Sequence, residues 1–378
     1  INDGTLAQKF LTSYLFANPA EAPGVLLEYP AFLDQFGADE VKSAFLPSIS
    51  ATRFCADPTA AANFVIKCCD VLGRRETGKE LTNSLMEAFV DVLYPADEAS
   101  RRAPSKNADN FPLSTILRLL GNHNDSATLS NRVLGGYIWL SRQQASPTRF
   151  SADPSGCASS VVQSILAVKN CDIPGQSPGQ KELGKELTNS LIEAFVDAMS
   201  PVNEASRRVP SKNVDSFPLS TILDLVSDHD DSVALAKRAL KGYIWLSCQQ
   251  VSELSGGYYS YRRTVAPKGP KLLVNHTVIP SLIRLCGKDG WNEYEGILVE
   301  ATEKLYQYGS TDDALLLIDK LSPPTFLPGD RSRICARMAT VACEKILANS
   351  NANTGVCKKL VGVIGKHCPS FAPRFAEF

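Results

Sequence analysis

GKELTNSLMEAFVD, residues 78–91, returns as GKELTNSLIEAFVD at residues 184–197. The likeness extends over the whole of Gly78–Gln144 and Gly184–Gln250, at a constant offset of 106 residues without a gap, with 46 identities in 67 positions. Fixed-period repetition on this scale marks stacked supersecondary units, each carrying too much apolar face to stand alone. A shorter echo precedes it, TRFCADP at 52–58 and TRFSADP at 148–154, at an offset of 96. The offsets differ by ten residues, which places an insert of that length in the second copy. Residues 172–181, DIPGQSPGQK, are Gly- and Pro-rich, read as loop, and are its expected site.

Within one copy the apolar spacing predicts four helices. Asp57-Pro58 and Asp153-Pro154 each supply an N-cap followed by Pro, leading into 60–72 and 157–168. Residues 77–93, with their counterpart 183–199, place Leu81, Leu85, Phe89 and Val92 on one side. A polar loop follows, EASRRAPSKNADN in the first copy. Phe111-Pro112-Leu113 then opens a short helix to Leu120, and 126–144 forms the last. In that last helix Val133, Leu134, Tyr137, Ile138, Leu140 and Ser141 share a broad sector. Trp139 falls almost opposite, beside Arg132, Gly135, Arg142 and Gln143. Trp245 sits likewise beside Arg238, Lys241, Cys248 and Gln249. No segment alternates strongly enough to read as a strand, so the expected class is all-α.

The remainder fits around the two copies. Residues 1–50 read as a helical cap with Leu6, Phe10, Leu11, Tyr14 and Leu15 at helical spacing. Residues 51–146 and 147–252 are the two copies, 253–277 a basic and aromatic loop, and 278–378 further helices. At 378 residues the chain is too long for one compact core. Its net charge of −1 argues against charge-driven nucleic-acid binding. No apolar run approaches the roughly 18 residues that span a bilayer. The start at Ile1 lacks Met and a signal-peptide core, which reads as a fragment or processed product. Eleven cysteines, an odd number without a CxxC pair, read as buried thiols and favour a cytoplasmic or nuclear address. Two glycosylation-type triplets, Asn124-Asp125-Ser126 and Asn275-His276-Thr277, count against that address.

The stretch FPLSTILDLVSDHDDSVALAKRALKGYIWLS, Phe217–Ser247, resembles an armadillo repeat. Its elements are Pro218, the Leu-rich Ile222-Leu223-Leu225, the turn Asp230-Asp231, and then Val233, Ala236, Ala239-Leu240 and Leu246. Phe111–Ser141 fits similarly. A poorer match runs from Val278–Leu285 to Glu300–Leu305 with a longer turn, and a weaker trace begins at Phe45-Leu46-Pro47. The resemblance, to armadillo and HEAT repeats together, implies a right-handed α-solenoid.

It also implies a way of working, because armadillo proteins grip extended peptides with a Trp and an Asn four residues later. Trp139/Gln143 and Trp245/Gln249 share that spacing with Gln in place of Asn; the alternative is that both indoles pack between repeats. Arg132, Arg238 and Lys241 beside them would favour an acidic or phosphorylated protein or peptide. Arg101-Arg102 with Lys106, recurring as Arg207-Arg208 with Lys212, are either a basic edge or a solvated loop copied along with its helices. Tyr258, Tyr259, Tyr261, Arg262 and Arg263 suit recognition by an adaptable loop, or fill a joint. His123 and His229 lie in inter-helix turns that lack converging metal ligands. With no Ser–His–Asp set, phosphate loop or HExxH, the expectation is a noncatalytic binding scaffold without cofactor or metal. The rivals are a helical-repeat nucleic-acid binder, an enzyme on an α-solenoid and a secreted effector that binds a host protein.

Overall fold

A computed structural model describes residues 45, 49–73, 78–105, 110–121, 123, 125–170, 178–201, 207–212, 214–249, 251–255, 261–322, 329–348, 358–359, 361–363 and 365. The proposed N-terminal cap, apart from 45, 49 and 50, lies outside them, as do Lys106, Tyr258 and Tyr259. The described backbone is helical except for one two-stranded hairpin. Contacts divide the chain into two compact units. One gathers the described parts of Ile1–Gln144 and Gln163–Leu191, the other Ala145–Val162 and Ile192–Phe378.

The first unit holds α1 (Ala51–Ala56), α2 (Pro58–Leu72), α3 (Gly78–Leu93), α4 (Leu113–Leu120) and α5 (Ser126–Gln144). Asp57 caps α2 by accepting from the Ala60 N–H at 3.0 Å, with Pro58 in the first turn, where no donor is lost. Pro112 makes an inverse γ-turn, Leu113 N–H to Phe111 C=O at 2.8 Å, that launches α4. Leu113, Ile116, Leu117 and Leu120 then form its buried stripe. Where α5 crosses α3, Gly136 stands against Leu93. A Cβ there would lie 2.7 Å from the Leu93 Cγ, so the approach depends on glycine.

The second unit repeats these devices. It holds α6 (Pro147–Ala152), the start of α7 (Pro154–Lys169), the end of α8 (Pro178–Met199), α9 (Leu219–Ser227) and α10 (Ser232–Ser247). Asp153 caps α7 through Gly156 N–H at 3.0 Å, and Pro218 repeats the γ-turn before α9. Gly242 stands against Met199 as Gly136 does against Leu93. Phe150, Phe195, Phe217 and Tyr243 form a chain of aromatic contacts, with centroids 5.8, 6.4 and 5.8 Å apart. Beyond α10 come the hairpin and then α11 (Val278–Asp289), α12 (Trp291–Tyr308), α13 (Thr311–Leu321) and α14 (Asp330–Ala348).

Three readings of the sequence need correction. Residues 253–277 are not simply loop: β1 (Val251–Ser255) pairs antiparallel with β2 (Tyr261–Val265), from Val251 opposite Val265 to Ser255 opposite Tyr261. The insert of the second copy is partly helical, since α8 begins at Pro178 and not near Leu183. The expected longer turn in the third match is the single residue Gly290 at φ 97°, because α11 and α12 extend to meet it.

Candidate functional site

Trp139 and Trp245 occupy equivalent points on α5 and α10, and both are half-buried while the apolar side chains around them in sequence are buried. Gln143 is likewise half-buried. Gln249 Nε2 donates to the Trp245 carbonyl at 2.8 Å and so caps the end of α10. Arg132 donates to Asp91 at 2.7 Å and to the Tyr94 carbonyl at 3.1 Å. Arg238 repeats this with Asp197 and with the Ser200 carbonyl at 3.0 Å. Each arginine therefore clamps the C-terminal end of the preceding long helix, where carbonyls lack helical partners and a cation suits the dipole. Lys241 is exposed. Tyr261, Arg262 and Arg263 lie on β2.

One arginine of each basic loop turns inward, while Arg102, Arg208 and Lys212 stay exposed. Arg101 lies 3.9 Å over the Tyr94 ring and donates to the Pro95 carbonyl at 3.3 Å. Arg207 lies 5.6 Å from the Trp245 ring and donates to Ser200 Oγ at 3.2 Å. Backbone bonds of 2.7 Å pin both loops, Ser105 N–H to the Cys55 carbonyl and Ser211 N–H to the Ser151 carbonyl. Lys212 reaches Asp153 at 2.6 Å. Burial pushes the Asp153 carboxyl up, but Lys212 and the Gly156 N–H outweigh it and leave it below its ordinary value.

Beside Trp245 the second unit encloses a cavity of about 220 Å³. Lys212, Val214 and Asp215 line it from the loop before α9, and Tyr243, Leu246, Ser247 and Gln249 from the end of α10. Ala266 through Gly269, with Lys271 and Leu272, close it as the chain returns from the hairpin. Gly269 fixes the closure at φ 69°. A Cβ there would lie 3.1 Å from both the Gly309 nitrogen and the Lys304 carbonyl oxygen. Its N–H donates to the Ser247 carbonyl at 3.1 Å, and Leu272 N–H donates to the Tyr243 hydroxyl at 3.0 Å. Burial pushes that phenol up. At the mouth Lys268 pairs with Asp215, and Lys271 lies 3.7 Å from Asp313.

The structure thus sets Arg207 near the Trp245 ring and Gln249 on the wall of the cavity, and commits Arg132 and Arg238 to helix ends. The spacing of residues missed Tyr243 and Asp215; the Lys268-Gly269-Pro270 turn signal was the one local sign of the closure. His123 and His229 make identical turns. Each Nδ1 accepts at 3.0 Å from the N–H two residues on, and Nε2 faces Glu87 at 3.1 Å or Glu193 at 3.3 Å. Among the described residues no His/Cys/Asp/Glu group is arranged to hold a metal, and no helix is long and apolar enough to cross a membrane. Burial raises the thiols of Cys69 and Cys286 to about 12, so both stay protonated and unreactive. No protein-family model matches the chain, and no curated protein matches it in sequence.

Proposed function

We propose that the chain is a noncatalytic scaffold of armadillo-like repeats, built as a right-handed α-solenoid, that holds a partner protein or extended peptide. The observation that carries the reading is the half-exposed indole repeated at Trp139 and Trp245. Burying large aromatic side chains is favourable, and both indoles keep part of their surface uncovered at equivalent points. The uncovered part of each indole is surface for a guest, and Trp is among the residue types enriched at binding hot spots.

The clamps narrow the roles proposed from the sequence. Arg132 and Arg238 hold the helices that carry the indoles, and Arg207 braces Trp245 by a cation–π contact. Charge for an acidic or phosphorylated guest falls to exposed Lys241 and to the lysines at the cavity mouth. With Arg101 and Arg207 bonded internally, a basic edge for nucleic acid is reduced to the exposed Arg102, Arg208 and Lys212.

Affinity purification with the native chain and with Trp139→Ala/Trp245→Ala, read by mass spectrometry, tests the reading. The double variant should lose a partner while keeping its helical circular dichroism, at a cost of about 2 kcal/mol, roughly 30-fold, per hot-spot indole. Identical partner sets would refute the proposal. Loss of helicity would assign the indoles to packing. A steep fall in affinity with salt would point to nucleic acid instead.

A further inference from the structure

We infer that the cavity at the end of α10 is a socket for one aromatic side chain of a protein partner, flanked in that partner by carboxylates. The inference rests on the scaffold reading above and names the partner's chemistry. Size comes first: the cavity measures about 220 Å³, whereas one of about 150 Å³ already admits benzene. A phenyl or indole ring therefore fits.

The wall favours hydrocarbon. Val214, Leu246, Pro267 and Leu272 supply apolar surface, and nearby polar groups are already matched, Tyr243 with Leu272 and Ser247 with Gly269. A nucleobase would bring edge groups needing partners that this wall has already used, so a side chain of Phe or Trp type is the better guest.

The mouth sets the flank. Three ammonium groups line the cavity, Lys212, Lys268 and Lys271, against one carboxylate, Asp215. Asp153 and Asp313, which pair with Lys212 and Lys271, do not line it. These lysine side chains are 61%, 47% and 50% exposed, where an ion pair contributes little and a guest carboxylate can replace the resident one. A basic flank would meet repulsion.

Random short peptides displayed on phage, selected against the full chain, test this directly. Selected peptides should share an aromatic residue with Asp or Glu beside it. Their affinity should fall about tenfold or more in Ala266→Trp, which plugs the mouth from an exposed position, and severalfold in Lys268→Gln/Lys271→Gln. If Ala266→Trp lost its helical signal, the lysine variant would decide alone. No enriched peptides, a consensus without acidic neighbours, equal binding by the variants, or displacement of the peptides by single-stranded RNA would each overturn the socket. Cellular partners lost in Trp139→Ala/Trp245→Ala but kept by Ala266→Trp would remove the socket and leave the scaffold standing. Partners indifferent to every variant would remove both.

Discussion

The Arg207 guanidinium lies 5.6 Å from the centre of the Trp245 ring, whereas its counterpart Arg101 lies 3.9 Å over Tyr94 and not over Trp139. One exchange accounts for the difference. Tyr94 of the first copy is Ser200 in the second, and Ser200 Oγ accepts from Arg207 instead of offering a ring. A second exchange follows it. Gly135, whose added Cβ would lie 3.2 Å from the Tyr94 Cζ, becomes Lys241 where no ring stands in the way.

The Tyr94–Gly135 pair should therefore behave as one coupled site. Gly135→Ala gains about 1 kcal/mol of helix propensity but loses a similar amount to overpacking against Tyr94, for a net change near zero. Made in Tyr94→Ser, the same substitution should stabilise by about 1 kcal/mol. Urea unfolding of the four proteins reads the coupling, and simple additivity would contradict it.

Gly136 and Gly242 leave no such freedom. A methyl at Gly242 would lie 2.8 Å from the Met199 Cγ and 3.1 Å from the Met199 carbonyl oxygen, and backbone cannot rotate away. Gly136→Ala and Gly242→Ala should each destabilise by about 1–3 kcal/mol. A unchanged or raised urea midpoint in either would show the crossings to be looser than described.

Arg238→Ala should cost about 1 kcal/mol and quicken hydrogen exchange over residues 196–200, because the Ser200 carbonyl and Asp197 lose their shared donor. Arg238→Lys should recover much of the loss, since both bonds come from the one nitrogen Nη2 and an ammonium carries three donors. Arg132 should give the same ranking in the first unit. Equal protection in Arg238→Ala would end its role as a clamp.

Acid should weaken the second unit. The Arg337 bond holds the Glu295 carboxyl low with help from Arg333, and Lys345 holds Glu303 low. Asp153 is held low by Lys212 and Gly156 against the effect of burial. A carboxyl whose folded value lies below its unfolded one adds stability that is complete above the unfolded value and lost as pH falls through the folded value. The loss should set in below about pH 4. Lys345→Gln should shift that acid limb for its part, and identical midpoints between pH 6 and 3 would deny the carboxylates any share.

Much of the fold was legible because local signals agreed with each other. Asp-Pro announces α2 and α7, and the stripe Leu113, Ile116, Leu117, Leu120 declares α4. Pro178 misled because the Pro-Gly pair read as loop, although Pro also suits a helix's first turn. The strands escaped because five residues each, VSELS and YRRTV, alternate too weakly to announce themselves. Helical spacing placed both tryptophans opposite the apolar sector of their helices but left open whether they pack between repeats. The cavity was not: its walls come from three stretches of chain that meet only once α10 ends and Gly269 turns. Arg207 read as part of a basic edge or a solvated loop because nothing local says that a loop guanidinium will fold back onto an indole.

Each copy carries its own Asp cap, arginine clamp, histidine turn and glycine crossing, while the end of α7 and the start of α8 group with the first unit. An in-frame loss of 106 residues, taken between any two matching points of Gly78–Gln144 and Gly184–Gln250, would leave one complete set of these devices. The protein is therefore suited to evolve in length by whole modules.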